Sequence, residues 1–174
     1  MRVYIDGVWD MFHVGHLKCL LAARKFAEER PSPSPPEVVV GVVSDEDAAS
    51  YKRTPVIPHD ERAAIVAALG CVAEVIPRCP LRVTPEFLRE HRLQKVVHGF
   101  SNDADRARQR PFFADIADAF EEIPYTHGIS TTDVLARVQQ RVAGAVVEGA
   151  APAPPALPLL QEAAGTVGRV GWRV

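Results

Sequence analysis

The stretch VYIDGVWDMFHVGH, residues 3–16, joins a short apolar run to a glycine-containing turn and the beginning of a helix. The apolar run ends at Asp6-Gly7, which predicts a strand followed by a turn. His13 and His16 stand three residues apart where the helix begins, so both imidazoles can point the same way. The free N–H groups and the positive dipole end of a helix N-terminus suit a phosphate, and glycine permits close backbone approach. The stretch therefore predicts a phosphate site at the carboxyl end of the first strand.

The rest of the chain alternates short β-branched runs with segments of helical periodicity. Ser44 has the character of a helix N-cap followed by an acidic first turn. Strands are predicted near residues 38–43, 72–76 and 95–97, and helices near 15–29, 59–69, 85–91, 103–120 (with a break near Pro111) and 130–142. This alternation predicts the α/β class, a doubly wound Rossmann-like parallel sheet, with ligands beyond the carboxyl ends of its strands.

Composition narrows the class of protein. The chain has 174 residues and a formal net charge of -2, which gives no indication of a nucleic-acid partner. The three cysteines have neither metal-ligand spacing nor an even count for a disulfide framework. No apolar run reaches the roughly 20 residues of a membrane span. We expect a cytoplasmic protein with a folded domain over residues 1–143 and a disordered Ala/Pro-rich tail over residues 144–174.

The two histidines have alternative interpretations. An isolated histidine is most often a polar core residue with satisfied hydrogen bonds, but two histidines between glycines at a strand-to-helix turn favour function. A zinc site is disfavoured, because His-x-x-His has no further ligands at a suitable spacing.

The segment from Gly7 to His16 resembles the GxFDxxHxGH signature of the cytidylyltransferase family. That family includes choline-phosphate, ethanolamine-phosphate and glycerol-phosphate cytidylyltransferases. Residues 129–133, ISTTD, resemble a second signature of the family, RTxGISTT. Residues 40–45, Lys52, residues 61–62 and residues 84–88 are similar to the choline and ethanolamine branches. The resemblance covers residues 2–142 and implies the HxGH nucleotidyltransferase type of the fold.

The resemblance implies transfer of CMP from CTP to a phosphorylated alcohol, assisted by Mg²⁺, in phospholipid head-group activation. The nucleophile is a phosphate monoester oxygen that is already anionic, so the reaction needs alignment of two anions and neutralised charge rather than a general base. Catalytic roles fall on His13, His16 and Lys52. Nucleotide-binding roles fall on Gly7, Val8, Trp9, Asp10, Gly15, His98, Gly99, Thr126, Gly128, Ile129, Ser130, Thr131 and Thr132, and acceptor-binding roles on Asp10, Lys52, Leu81 and Tyr125. Members of the family commonly pair around the face that carries the first signature, so the resemblance implies a homodimer.

Four positions depart from the family pattern. Tyr125 stands where the second signature has arginine, and His127 or Arg53 is the candidate replacement for that cation. Leu81 stands where the choline branch has the tryptophan that helps to enclose a trimethylammonium group. Phe100 follows His98-Gly99 where an acidic or amide residue is usual, so Asp103 or Asp105 is the candidate carboxylate for an ammonium group. Residues 70–74 replace the usual Arg-Tyr-Val-Asp-Glu.

The missing tryptophan and the His98-Gly99 pair favour phosphoethanolamine as the acceptor. Phosphocholine, glycerol 3-phosphate or a phosphonate is the alternative acceptor, and adenylation with ATP is an alternative reaction. A further alternative is a catalytically weakened nucleotide-binding module that acts through partners.

Overall fold

The computed structural model describes residues 1–147, with side-chain surroundings as far as residue 144. Within that part, the strands are β1 Arg2–Gly7, β2 Glu37–Val42, β3 Glu74–Pro77, β4 Lys95–His98 and β5 Phe120–Glu122. The helices are α1 Val14–Glu28, α2 Asp45–Tyr51, α3 His59–Ala67, α4 Pro85–Glu90, α5 Asp103–Gln109, a 3₁₀ helix Arg110–Ile116 and α6 Thr131–Val147.

The five strands form one parallel sheet in the order β3-β2-β1-β4-β5. The predicted doubly wound, Rossmann-like architecture is therefore confirmed. In this order the connections reverse direction between β1 and β4, and such a switch point opens a crevice beyond the strand ends.

Both faces of the sheet are covered. Alternate residues of β1 point to opposite faces: Tyr4 packs in a core cluster with Val39 and Val96, whereas Val3 and Ile5 pack in a second cluster. Burial on both faces explains why β2 is a continuous β-branched run rather than an alternating one.

Local capping follows the sequence pattern. The Ser44 hydroxyl accepts a hydrogen bond from the Asp47 N–H at the beginning of α2. Thr84 caps α4 in the same way, with Pro85 at the first helical position. These predicted helix starts are confirmed.

The segment over residues 103–120 differs from the prediction. The expected break near Pro111 is present, but the chain continues there as a 3₁₀ helix, and Phe120 begins the strand β5 that the sequence pattern did not indicate. β5 has three residues, FEE, two of them acidic, so it has no apolar alternation. Its strand conformation comes from backbone pairing with β4.

The chain divides into a compact unit, Met1–Ala136, and a second unit that begins at Arg137. The described part of the second unit continues α6 to Val147, past Gly144, where the sequence pattern placed the beginning of the tail. Residues 148–174 of the predicted disordered tail lie outside the described residues. Among residues 1–147, no helix has the length and apolar character to cross a bilayer.

Candidate active site

A cavity of about 430 Å³ opens where β1 and β4 end, inside the first unit. It brings together most of the residues that the sequence predicted for the site. The cavity lining includes His13, His16, Lys52, Gly7, Val8, Trp9, Asp10, Gly15, His98, Gly99, Tyr125, Thr126, Ile129, Ser130, Thr131 and Thr132. Residues from more than 100 positions apart therefore share one surface, as expected at a topological switch point.

His13 and His16 form a stacked pair at the N-terminus of α1. Their ring centroids are 3.8 Å apart with an interplanar angle of 17°. His13 is the N-cap of the helix: its Nδ1 accepts the Gly15 N–H at 3.1 Å, and its own N–H donates to Nδ1 of His16 at 3.4 Å. Because Nδ1 of each ring accepts a hydrogen bond, the proton of each neutral ring lies on Nε2.

Both imidazoles are held neutral. Burial lowers the pKa of His13. Burial is the main reason that the pKa of His16 is lowered to about 3; the neighbouring His13 and Lys52 act in the same direction, and the Asp10 carboxylate opposes the shift. Nε2 of His13 is buried and has no hydrogen-bond partner among the described residues. A phosphate oxygen that reached this N–H group would satisfy it.

Gly15 leaves the space that the His13 ring occupies. A Cβ added at Gly15 would lie 2.9 Å from two atoms of that ring and 3.1 Å from Ile129. These contacts are closer than packed carbon atoms tolerate, so the ring or the helix start must shift.

We therefore expect Gly15→Ala to lower turnover by about ten- to a hundredfold, because a displacement of about 1 Å in a positioned group costs a factor of that order. Steady-state pyrophosphate release checks this expectation. Gly70→Ala is the matched control, since a Cβ at Gly70 meets no atom within 4 Å. Wild-type turnover in Gly15→Ala would mean that the ring position of His13 is not critical.

Trp9 covers the turn after β1. Its side chain is buried, and its indole N–H donates to the Gly41 carbonyl at 2.8 Å. A Cβ at Gly7 would lie 2.8 Å from the indole, so glycine permits this close packing. Trp9 has a φ of 56°, a left-handed conformation that is costly for a large side chain and is held here by the indole contacts.

Asp10 organises a neighbouring loop. Its buried carboxylate accepts the N–H groups of Val56 and Ile57 at 2.9–3.0 Å, and Arg53 forms an ion pair with it at 3.5 Å. Its backbone carbonyl accepts the Thr131 hydroxyl at 3.2 Å. Asp10 thus joins the signature turn both to the loop that follows α2 and to the beginning of α6.

Arg62 joins the same loop to the residues that directly follow β1 and β2. Its side chain is fully buried, and its guanidinium donates to the carbonyls of Ile57, Val8 and Val43 and to the Asp45 carboxylate. Arg62 and Asp10 therefore hold the same loop at Ile57, through its carbonyl and its N–H group respectively.

Lys52 ends α2, where its N–H donates to the Ala48 carbonyl. Removal of water around the ammonium group lowers its pKa, and the charges of Asp105 and Asp6 oppose that shift. Because the two carboxylates line the same cavity, they favour the charged form of the ammonium group. Lys52 therefore places a basic group at the wall of the cavity.

Asp105 is a buried carboxylate of the cavity. Oδ2 accepts the N–H and the hydroxyl of Ser101 at 3.1 Å, and Oδ1 accepts the Gln109 amide. Burial acts to raise its pKa, but the Ser101 N–H, the charge of Lys52 and the Gln109 amide outweigh burial and lower it. Arg108 also forms an ion pair with this carboxylate, at 3.6 Å from Oδ1.

His98 and Asp6 pair across the seam between β4 and β1. Nδ1 of His98 lies 3.1 Å from Oδ1 of Asp6, and both side chains are mostly buried. Since a carboxylate only accepts, Nδ1 of His98 donates, and the Asp6 charge is satisfied at the end of β1. Gly99 follows directly, where a Cβ would lie 3.2 Å from the Ile123 carbonyl oxygen.

The second signature begins α6. The N–H and hydroxyl of Ser130 both donate to the Asp133 carboxylate at 2.7 Å, and the Asp133 N–H donates back to the Ser130 hydroxyl. Ser130 therefore acts as a helix cap. Tyr125 is half-buried at the cavity, and burial raises its pKa, so its phenol is a neutral donor.

Two predicted residues stand outside the cavity lining. Leu81 packs against the core cluster around Tyr4. Gly128 has a φ of 97°, a conformation that favours glycine, and shapes the loop before α6. The roles assigned to both residues stay predictions.

The cavity also contains residues that the sequence did not assign to it. They are Ile5, Asp6, Cys19, Arg53, Ser101, Asp105 and Gln109. The sequence had named Arg53 as a candidate for the missing cation and Asp103 or Asp105 as a candidate carboxylate, without placing them in the cavity. Asp105 is distinguished from Asp103 by burial, because Asp103 is exposed. No local signal in the sequence identifies Gln109 or Cys19, because their proximity to the cavity results from the packing of α5 and α1.

Several known proteins are similar to this chain in sequence. The cytidylyltransferase-like family profile matches residues 4–137. The chain is 34% identical over 146 residues to ethanolamine-phosphate cytidylyltransferase of Arabidopsis thaliana, covering 79% of this chain and 32% of that protein. It is 35% identical over 140 residues to choline-phosphate cytidylyltransferase A of Mus musculus, covering 79% of this chain and 36% of that protein. The chain spans about a third of the length of these curated relatives.

A solved structure shares the fold. The crystal structure of the lipopolysaccharide core biosynthesis protein from Thermoplasma volcanium GSS1 matches with a TM-score of 0.54 and 21% identity, covering 72% of this chain and 98% of that one. The family profile extends from β1 through the cavity to the beginning of α6, over most of the chain. On that match, the chain belongs to the cytidylyltransferase-like family.

Proposed function

We propose that this chain transfers CMP from CTP to phosphoethanolamine, giving CDP-ethanolamine and pyrophosphate. The observation that carries the proposal is the stacked pair of neutral imidazoles at the N-terminus of α1, facing a cavity that Lys52 also lines. Neutral N–H donors, a lysine cation and a helix N-terminus together suit the phosphates of a nucleotide.

The reaction requires little covalent chemistry from the protein. An anionic oxygen of the acceptor phosphate attacks the α-phosphorus of CTP; the new P–O bond forms as the bond to the β-phosphate oxygen breaks, and pyrophosphate leaves. Nε2–H of His13 and of His16 would donate to phosphate oxygens as negative charge moves to the leaving group. Lys52 would offset the repulsion between the two anionic substrates.

The choice of phosphoethanolamine is supported by the carboxylates of the cavity. A primary ammonium group needs hydrogen-bond acceptors, and the Asp105 carboxylate supplies acceptor oxygens at the cavity. A trimethylammonium group needs aromatic faces instead, and Leu81 at the family's tryptophan position supplies none. The relatives include both ethanolamine-phosphate and choline-phosphate enzymes at similar identity, so the acceptor is a proposal about this chain's own residues.

Magnesium is part of the proposal through the nucleotide. Among the described residues, no group of three His, Cys, Asp or Glu side chains could hold a metal ion. The cavity carboxylates Asp6, Asp10 and Asp105 all have protein partners. Mg²⁺ is commonly bound through substrate phosphates and its own waters, with few protein ligands. We therefore propose that Mg²⁺ enters on the CTP phosphates, where it would neutralise charge, and we assign it no protein ligand.

A homodimer and a cytoplasmic location also belong to the proposal. Val14 and Leu21 stand seven residues apart on α1, and about half of each is exposed. They lie on one side of the helix that carries the first signature, which supports pairing around that face. Sedimentation of the purified chain would distinguish a dimer from a monomer.

We expect purified protein with CTP and Mg²⁺ to release pyrophosphate when phosphoethanolamine is added. Coupled pyrophosphate detection measures the rate, with phosphocholine, glycerol 3-phosphate and a phosphonate as parallel acceptors and a reaction without acceptor as the control. Pyrophosphate release only with a different acceptor would support the proposed CMP transfer but show that phosphoethanolamine is not the acceptor. Release only when ATP replaces CTP would make the adenylation alternative correct, and no release with any pair would favour a nucleotide-binding module.

A further inference from the structure

The positive charge of the cavity comes from few residues. Among the described residues that line it, the lysine and arginine side chains are Lys52 and Arg53. His13 and His16 are neutral, so they contribute donors but no charge. The phosphates of a nucleoside triphosphate carry several negative charges, and a single ammonium group leaves most of that charge without a partner.

Arg53 is unusual among the arginines of the site because its donors are unused. Its one polar contact among the described residues is the ion pair with Asp10, at 3.5 Å and without a hydrogen bond. Arg62, in contrast, donates to three carbonyls and a carboxylate. The Arg53 side chain is 40% exposed and lines the cavity, so a ligand there can reach its guanidinium group, which carries five N–H donors.

Asp10 does not depend on Arg53. The N–H groups of Val56 and Ile57 donate to its carboxylate. These bonds remain when the guanidinium moves away, so its departure leaves no buried charge without partners. The ion pair between Arg53 and Asp10 can therefore be broken with a small loss of free energy.

We propose that Arg53 binds the phosphates of the nucleotide, exchanging its ion pair with Asp10 for hydrogen bonds to phosphate oxygens. This rests on the proposed function, because it requires a nucleotide in the cavity. A planar guanidinium suits two oxygens of one phosphate at once. Arg53 follows Lys52 in the chain, so the loop held by Asp10 and Arg62 presents two adjacent cations to the ligand. His127, the other candidate cation, is not among the cavity residues, and its ring packs edge-on against Tyr125.

Calorimetric titration of the full chain with CTP, CMP and cytidine, in the presence of magnesium, tests this assignment. We expect Arg53→Ala to weaken CTP binding by about ten- to a hundredfold, the range for a lost hydrogen bond to a charged group. The loss is expected to be smaller for CMP and absent for cytidine. Arg53→Lys should recover part of the CTP affinity. Arg89→Ala is the matched control and should leave all three affinities unchanged, because within residues 1–147 the exposed Arg89 side chain pairs only with Glu86, outside the cavity.

The outcomes separate the two proposals. Wild-type protein that binds none of the three ligands would overturn the proposed function and the role of Arg53 with it. Wild-type binding of CTP with unchanged affinity in Arg53→Ala would overturn the role of Arg53 alone. Equal weakening for CTP and cytidine would also overturn it, since displacement of the loop, rather than loss of a phosphate contact, has that signature.

Discussion

Replacement of His16 by alanine is expected to lower turnover by at least about a hundredfold while the protein stays folded. Removal of one positioned donor to developing negative charge typically costs a hundred- to a thousandfold in rate. His16 has two roles at the cavity: its Nε2–H is available as a donor, and its ring stacks against His13 at 3.8 Å and orients it. Loss of the ring therefore affects both imidazoles.

The loss is expected to be the same on the acidic and the alkaline side of neutrality. The pKa of His16 is lowered to about 3, so the wild-type ring does not take up a proton in this range. Measured kcat at several pH values, with circular dichroism to verify the fold, checks both expectations. His91→Ala is the control, because His91 lies at the amino end of β1, away from the cavity, where its carbonyl accepts a hydrogen bond from the Arg2 side chain. Turnover of His16→Ala at the wild-type level would show that the imidazole pair does not contribute to catalysis.

Replacement of Arg62 by methionine is expected to destabilise the fold by about 3 kcal/mol or more. Methionine fills part of the volume but donates nothing, so the carbonyls of Val8, Val43 and Ile57 lose their donors. Each buried acceptor left without a partner costs about 1–3 kcal/mol, and removal of one member of a buried charged network costs about 3–5 kcal/mol.

Urea unfolding followed by circular dichroism measures this effect as a lower midpoint. The urea midpoint of Arg62→Lys should lie between those of the wild type and Arg62→Met, since one ammonium group cannot reach all four acceptors. Arg89→Met is the control and should change the unfolding free energy by no more than about 0.5 kcal/mol, as is usual for exposed positions. An unchanged midpoint for Arg62→Met would mean that water or neighbouring groups replace the guanidinium.

The elements with strong local patterns were predictable. β1 and β2 are apolar runs buried on both faces, and Ser44 and Thr84 carry the side chains that cap α2 and α4. β5 was missed because its conformation comes from pairing with β4, which no pattern within residues 120–122 encodes.

The residues of the site also divide into those that local sequence patterns placed and those that only packing placed. The stacked histidines, Gly15 beside the His13 ring and the start of α6 lie within two short segments, where spacing along the chain is enough to place side chains on one surface. The sequence also identified the class of fold, and with it the edge of the sheet where a ligand would lie.

Residues distant in sequence took their places through packing. Asp105 and Asp103 have the same local pattern, and only the docking of α5 buries one and exposes the other. Arg53 and His127 were equal candidates for a missing cation, and only the contact of Asp10 with the loop after α2 brings Arg53 to the cavity. Local propensity acts over a few residues, whereas the position of a side chain in a shared cavity depends on hydrogen bonds and buried contacts between segments that the chain brings together only when it folds.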